Sequence, residues 1–340
     1  MKLHLTPIVA ASTLALLTAC GGSSGDGATT TTPPPAGVKI TSANQTSAAR
    51  AGLDAGLSMA MAQGALGSGA AASPAAVAGR AHALTSLVRH AVDSATRKTA
   101  AGLDAHAAVL SSANENCAVG GTVSSSFDDK DGNLMLSAGD VITATFSQCR
   151  DSSTSTINGT VVITVAANPQ VNGSNSQLSV NAQFQTLAVT DTGSSYTVNG
   201  SVSVAETDND VTTNTAITIG SGGLSLVVAA TGLNDTITLG AGLAVTTTTA
   251  DDGSFAAVAV NGSVTSSALG GTVSIATPIA LSGPGSDAYP SAGQMVITGA
   301  SGSKVRISAV SNAQATLELD ADGDGSYESS STVAWSSLVP

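Results

Sequence analysis

Leu187-Ala188-Val189-Thr190 leads through Asp191-Thr192-Gly193 to Tyr196 and then to Val198-Asn199-Gly200-Ser201-Val202. The same order returns as Leu243-Ala244-Val245-Thr246, Asp251-Asp252-Gly253, Phe255 and Val260-Asn261-Gly262-Ser263-Val264. A weaker third copy joins Thr145-Phe146 to Ile157-Asn158-Gly159-Thr160-Val161. Each copy reads as strand, Asp/Gly turn, strand, because β-branched residues suit a pleated, half-buried surface while Asp and Gly accept turn backbone. The Asn-Gly falls late in each unit, within or at the end of the second strand. That position suits a bulge or bend that curves the sheet better than a hairpin tip. The copies are offset by 56 positions at the front and 62 at the back, so antiparallel hairpins with elastic loops fit better than a regular solenoid.

Around this repeat, about a dozen strands can be marked between Cys117 and Trp335. Among them are Val141–Gln148, Thr160–Ala166, Gln177–Val189, Tyr196–Ala205, Thr236–Thr248, Gln294–Thr298, Lys304–Val310 and Thr316–Asp320. Pro278–Pro290 reads as a loop that sets off a C-terminal meander. Alternation in Val161-Val162-Ile163-Thr164-Val165 and in Leu178-Ser179-Val180-Asn181-Ala182-Gln183-Phe184 leaves at least one face wet. The expected fold is mainly β: a large curved antiparallel sheet or open barrel over residues 116–340, preceded by an Ala-rich helical segment, α+β overall.

That helical segment spans residues 41–115. Its clearest helix is Pro74 to Lys98, with Ser73 as N-cap, Pro74 at N1, and Val77, Ala81, Leu84, Val88, Ala91 and Ala95 on one face. Shorter candidates are Ser47 to Gln63 and Thr99 to Ser112. His82 and His90 are eight positions apart rather than three or four, and with His106 they read as solvated helix-face residues, not metal ligands.

The chain has 340 residues, 42% of them apolar, but only 10% charged and 2% aromatic. Low charge with high apolar content excludes a polyelectrolyte-like disordered chain and favours a core of Val, Leu, Ile and Ala. A net charge of −12 and a pI near 4.4 argue against nucleic acid or an anionic lipid surface as partner. From Cys117 onward there are 18 acidic and 4 basic residues, so the charge belongs almost wholly to the β part.

The first residues read as an address. Met1-Lys2-Leu3-His4, an apolar run from Ile8 to Leu17, and Leu17-Thr18-Ala19-Cys20-Gly21 describe a secretory signal over residues 1–19. Its ending resembles the lipobox of bacterial lipoproteins, with Leu17, Thr18, Ala19 and Cys20 matching in order. The resemblance implies that Cys20 becomes the first mature residue and carries a diacylglycerol and an acyl chain such as palmitate, anchoring the protein to the bilayer. Gly21 rather than Asp after the cysteine implies the outer membrane. Residues 20–40 then carry the lipidated cysteine and a flexible tether, whose Gly/Ser- and Thr/Pro-rich run over residues 21–37 can hold the body up to roughly 50 Å from the membrane. The β part also resembles uncharacterised proteobacterial lipoproteins with similar Asn-Gly-Ser-Val and Asp-Gly-Asp-Gly segments, a resemblance that implies no activity.

With Cys20 lipidated, Cys117 and Cys149 form an even pair in an oxidising compartment, placed just before the first expected strand and at the end of the second. A structural disulfide is expected, since a catalytic thiol wants a neighbouring base and the β part has no histidine.

Asp320-Ala321-Asp322-Gly323-Asp324-Gly325 matches the opening of a Ca²⁺ loop, with oxygens at positions one, three and five and glycine at six. Position twelve is Ser331 where the EF-hand pattern has Glu, and Glu328 at position nine is the candidate replacement. The two readings are a Ca²⁺-binding hairpin loop and an acidic exposed turn. Asp129-Lys130-Asp131-Gly132-Asn133…Asp140 is a weaker echo. Gly21-Gly22-Ser23-Ser24-Gly25 and Ser301-Gly302-Ser303-Lys304 spell nucleophile motifs without their structural context.

No catalytic set is legible, and the chain is read as not an enzyme. The leading expectation is an envelope lipoprotein with a structural or surface-interaction role toward other envelope proteins. The alternative is a periplasmic carrier of an apolar, lipid-like ligand held in the curved sheet.

Overall fold

The structure, a computed structural model, describes residues 36–64 and 113–338 apart from 134–135, 151–154, 173–174, 192–193, 210 and 231–232. The signal, Cys20 and most of the tether lie outside the described residues. So do the helices expected over Pro74–Lys98 and Thr99–Ser112, with His82, His90 and His106.

Strands β1 (Ala113–Asn116), β2 (Gly120–Asp128) and β3 (Val141–Arg150) open the β part. Four long strands follow: β4 (Thr156–Asn172), β5 (Asn175–Asp191), β6 (Ser194–Asn209) and β7 (Thr212–Ala230). Next come β8 (Leu233–Leu239), β9 (Ala244–Ala250), β10 (Ala256–Ser266) and β11 (Gly271–Gly283). β12 (Ala292–Thr298), β13 (Lys304–Ser311), β14 (Gln314–Asp320) and β15 (Ser329–Ala334) complete one antiparallel sheet, in which each strand lies beside the next except β8 and β9. The expected mainly β, antiparallel architecture is observed.

The order departs from a simple meander at one place. The first half of β7 pairs with β9 and its second half with β8, and β10 likewise pairs with both, so these four strands form a closed circuit. β8 and β9 share one lane, where a single strand over Thr236–Thr248 was expected. Gly240 and Gly242 break the run: the Gly242 amide donates to Ile219 O and the Ile219 amide to Leu243 O, both at 2.9 Å. The expected loop at Pro278–Pro290 is also shorter, because β11 continues to Gly283. Pro278 is tolerated there at a register shift, where the Thr277 hydroxyl stands in for ladder bonds by accepting from Val260 N (2.9 Å) and donating to Val260 O (3.0 Å).

Bulges fall at one level on neighbouring strands. Each Asn-Gly of the repeat sits at a register shift, as its place late in the unit suggested. In β6 the Asn199 side-chain carbonyl accepts from the Thr186 amide at 2.7 Å, holding Thr186 at φ +50° as the extra residue of β5. Gly200, at φ +128°, makes room on the other side, where a Cβ would stand 2.3 Å from Gly223 O. Asn158 does the same for Gln148 of β3 (2.8 Å), and Gly159 for Thr186 and Leu187 of β5. In β10 the two sides exchange, with Asn261 facing Thr277 of β11 and Gly262 facing Leu243, because β10 runs in the opposite direction to β4 and β6. The extra residues restore facing: the buried set in β5 moves from Val180, Ala182 and Phe184 to Leu187 and Val189, and in β3 from Ile142, Ala144 and Phe146 to Cys149. One face therefore stays inside across the break, and the strands bend along a crease.

Helix α1 (Gln45–Gly64) matches the candidate over Ser47–Gln63 and packs on β9 to β13. Ala48, Ala49 and Leu53 are fully buried, and Gly52 lets the helix lie against Ile297. The short α2 (Trp335–Leu338) follows β15 and buries Trp335 and Leu338 in the same core, with the Trp335 indole donating to Ser311 O at 3.0 Å.

Candidate functional site

Cys117 and Cys149 form a disulfide with Cα atoms 5.5 Å apart. It ties the turn between β1 and β2 to the end of β3, so Cys117 precedes the second strand, not the first. Both cysteines are buried, and Val119 N donates to Arg150 O at 2.7 Å beside them. A stable disulfide suggests an extracytoplasmic location, since cytosolic thiols are kept reduced.

The acidic loop leaves β14 at Asp320. This residue is fully buried, and its two carboxylate oxygens accept from Gly323 N (2.6 Å) and Gly325 N (3.1 Å). Its Oδ2 also lies 3.8 Å from Lys304 Nζ on β13. Asp322 accepts from Asp324 N, Asp324 from Ser326 N, and Glu328 from Ala321 N at 2.9 Å. The four carboxylates sequence reasoning singled out, Asp320, Asp322, Asp324 and Glu328, come together, each with an oxygen within 4.8 Å of the others. Such a group could hold a metal ion such as Ca²⁺, whose hard charge suits oxygen ligands. Gly323 at φ +82° allows the loop to lie on the turn at Ala300–Gly302.

That turn also receives the chain entering from the tether. Ala300 N donates to Val38 O (2.8 Å), Ile40 N to the Ser303 hydroxyl (2.9 Å), and Gly37 forms a parallel bridge with Thr272. Residues 36–38 thus continue the lane in which β12 stops. Ser303, part of the Ser-x-x-Lys spelling, is a structural residue whose hydroxyl also donates to Ala300 O.

The second acidic group, Asp129, Asp131 and Asp140, lies in the turn between β2 and β3, at the opposite end of the strands. Asp140 is fully buried and accepts from Lys130 N (2.8 Å) and Ser137 N (2.7 Å). Asp140 stood in the sequence pattern only as a distant echo. Neither its part in closing this turn nor that of the buried Asp235 in closing the turn between β10 and β11, where it accepts from Ser266, Ser267 and Ala268, had a motif to announce it.

On β13 and β14, Arg306 donates to both oxygens of Glu318 (2.6 and 2.8 Å) and its guanidinium lies 4.1 Å over the Tyr327 ring. Arg306 holds Glu318 below the usual carboxylate range against the opposing effect of burial, and Glu318 raises Arg306 in turn. Asp252, fully exposed, is lowered by hydrogen bonds from Ser254. Trp335 is buried and stacked on Tyr289 with ring centroids 6.3 Å apart, so it offers no exposed aromatic platform.

No family model matches the chain, and neither the curated proteins nor the solved structures include a match.

Proposed function

We propose that this chain is an envelope lipoprotein anchored through Cys20, with its β body in a structural or interaction role outside the cytoplasm. The observation that carries the reading is the disulfide: Cys117 and Cys149 pair with each other, which leaves Cys20, directly after Leu17-Thr18-Ala19, as the remaining cysteine of three. Its acyl chains, at about 0.8 kcal/mol per buried methylene, make a lasting anchor. The join at Gly37 and Val38 supports a body that begins where the tether ends. A structural role is favoured over the apolar-ligand carrier because α1 already packs on the buried face from β9 to β13. The oxygen ligands Asp320, Asp322, Asp324 and Glu328 take Ca²⁺ in this reading, and the ion relieves the repulsion of four neighbouring carboxylates.

Expression of the full-length chain in a Gram-negative host with an alkyne fatty acid tests the anchor. Label on the wild-type chain and none on Cys20→Ser supports it; an unlabelled wild-type chain refutes it. For the ion, a saturating Ca²⁺ concentration of about 100 times Kd stabilises by about 2.7 kcal/mol. The melting temperature should therefore rise in millimolar Ca²⁺ and not in the Asp322→Asn/Asp324→Asn variant. An unchanged melting temperature removes the ion from the reading.

A further inference from the structure

We propose that the outer edge of β15 pairs antiparallel with the same edge of a second copy of this chain, about a twofold axis through Ser331. Among the described residues β15 is the last strand of the sheet and pairs only with β14. Its register with β14 is unbroken from Ser329 to Ala334, so it carries no bulge to twist the edge away. Ser329, Ser330, Ser331, Thr332 and Ala334 are exposed. The strand has no charged residue and no proline, which are the usual devices that keep a free row of N–H and C=O groups from recruiting another strand. The opposite edge is built differently. β1 has four residues, Ala113-Asn114-Glu115-Asn116, with a charge in the middle.

Self-pairing is favoured by what lies at the two ends of β15. The acidic loop from Asp320 to Glu328 precedes it, while Arg50 of α1 donates through Nε and Nη2 to Ser337 O just beyond it. In the antiparallel arrangement each copy's acidic loop comes to the end where the other copy carries Arg50. The two acidic loops stay a strand length apart, about 20 Å, beyond the Debye length of about 8 Å. A parallel arrangement would set them side by side. Opposed across the axis are Ser331 with Ser331, Ser330 with Thr332 and Ser329 with Val333, all small and uncharged. Trp335 N donates to Ala313 O on the β14 side, so it is residues 330 and 332 whose N–H and C=O groups point outward. A twofold contact of this kind closes on itself, so it makes dimers and not filaments. It is a small interface, and the dimer is concentration-dependent.

The proposal is independent of the lipid anchor, and its test is sedimentation of the full chain, in density-matched detergent, across about 1–200 µM. The mass should double with concentration. Ser331→Lys, at an exposed position, should weaken the dimer about tenfold or more by setting like charges across the axis, with the melting temperature unchanged. Salt at 0.5 M should weaken it too. Amide exchange of residues 329–334 provides a second readout, which does not depend on how the variant folds: it should slow as the wild-type chain is concentrated. A monomer throughout, a Ser331→Lys dimer as tight as wild type, or exchange of β15 independent of concentration would each overturn the proposal.

Discussion

Gly200→Ala should destabilise the protein by about 3 kcal/mol, far more than alanine usually does in place of glycine. Gly200 holds φ +128°, and a Cβ there would stand 2.3 Å from Gly223 O and 2.9 Å from Leu224 Cα. Both are backbone atoms of β7, so no side chain can swing aside. The left-handed conformation costs an L-residue about 1–2 kcal/mol, and forcing packed elements apart costs about 1–3 kcal/mol more. A stiffer unfolded chain returns about 0.4–1 kcal/mol. Gly253→Ala supplies the control. That glycine also has a positive φ, +72°, but nothing lies within 4 Å of its Cβ position, so only the conformational part applies and the net loss is about 1 kcal/mol or less. Urea denaturation followed by the fluorescence of Trp335, the single and buried tryptophan, reads the difference as a shift in midpoint at constant slope. If the two variants unfold at the same midpoint, close approach at the crease is not what selects glycine, and the reasoning fails.

Three further outcomes follow from the same contacts. Replacing Cys117 and Cys149 by serine should lower stability by about 3–4 kcal/mol, the chain-entropy value for cysteines 32 positions apart, measured against the oxidised chain by urea midpoint. The Arg306–Glu318 pair lowers the Glu318 pKa, so its contribution is complete above the ordinary glutamate range and is lost as the pH falls through the lower folded value; Glu318→Gln should therefore narrow the gap between urea midpoints at pH 7 and pH 3. Leu53→Ala, which empties a fully buried site between α1 and the sheet, should cost about 2–5 kcal/mol by the same assay, and a surface-like loss under 0.5 kcal/mol would detach α1 from the core.

The β architecture was legible because alternation is strong where one face is wet, as in Val180, Ala182 and Phe184 against Asn181 and Gln183. The bulges were legible too: the apolar phase jumps from Phe184 to Leu187, and Asn-Gly stands on the partner strand. The shared lane of β8 and β9 was not, because Thr236–Thr248 keeps a strand-like composition through two glycines whose amide bonding is non-local, Gly240 to Ser263 of β10 and Gly242 to Ile219 of β7. Pro278 misled for a different reason. A proline normally ends a central strand, and nothing nearby in sequence shows that the Thr277 hydroxyl will serve Val260. At the candidate site, the spacing of Asp320, Asp322, Asp324 and Glu328 was sufficient to foresee their convergence. Asp235 had no sequence signal, and Asp140 stood only at the end of a weak echo, because a lone acid that caps a turn looks, in sequence, like any exposed one.

The crease also bears on how far such a chain can drift. The fifteen strands among the described residues, made mostly of Val, Thr, Ser and Ala in a chain with eight aromatics in all, offer few side chains by which one alignment differs from an alignment two residues away. A bulged residue seated against a glycine works like a key in a slot: it fits at a single offset, and each strand so keyed fixes the next. Strand identity is thus written in backbone shape at a few positions. The residues between them are free to exchange one small apolar side chain for another, and the pairing scheme can outlast most of the sequence that first encoded it.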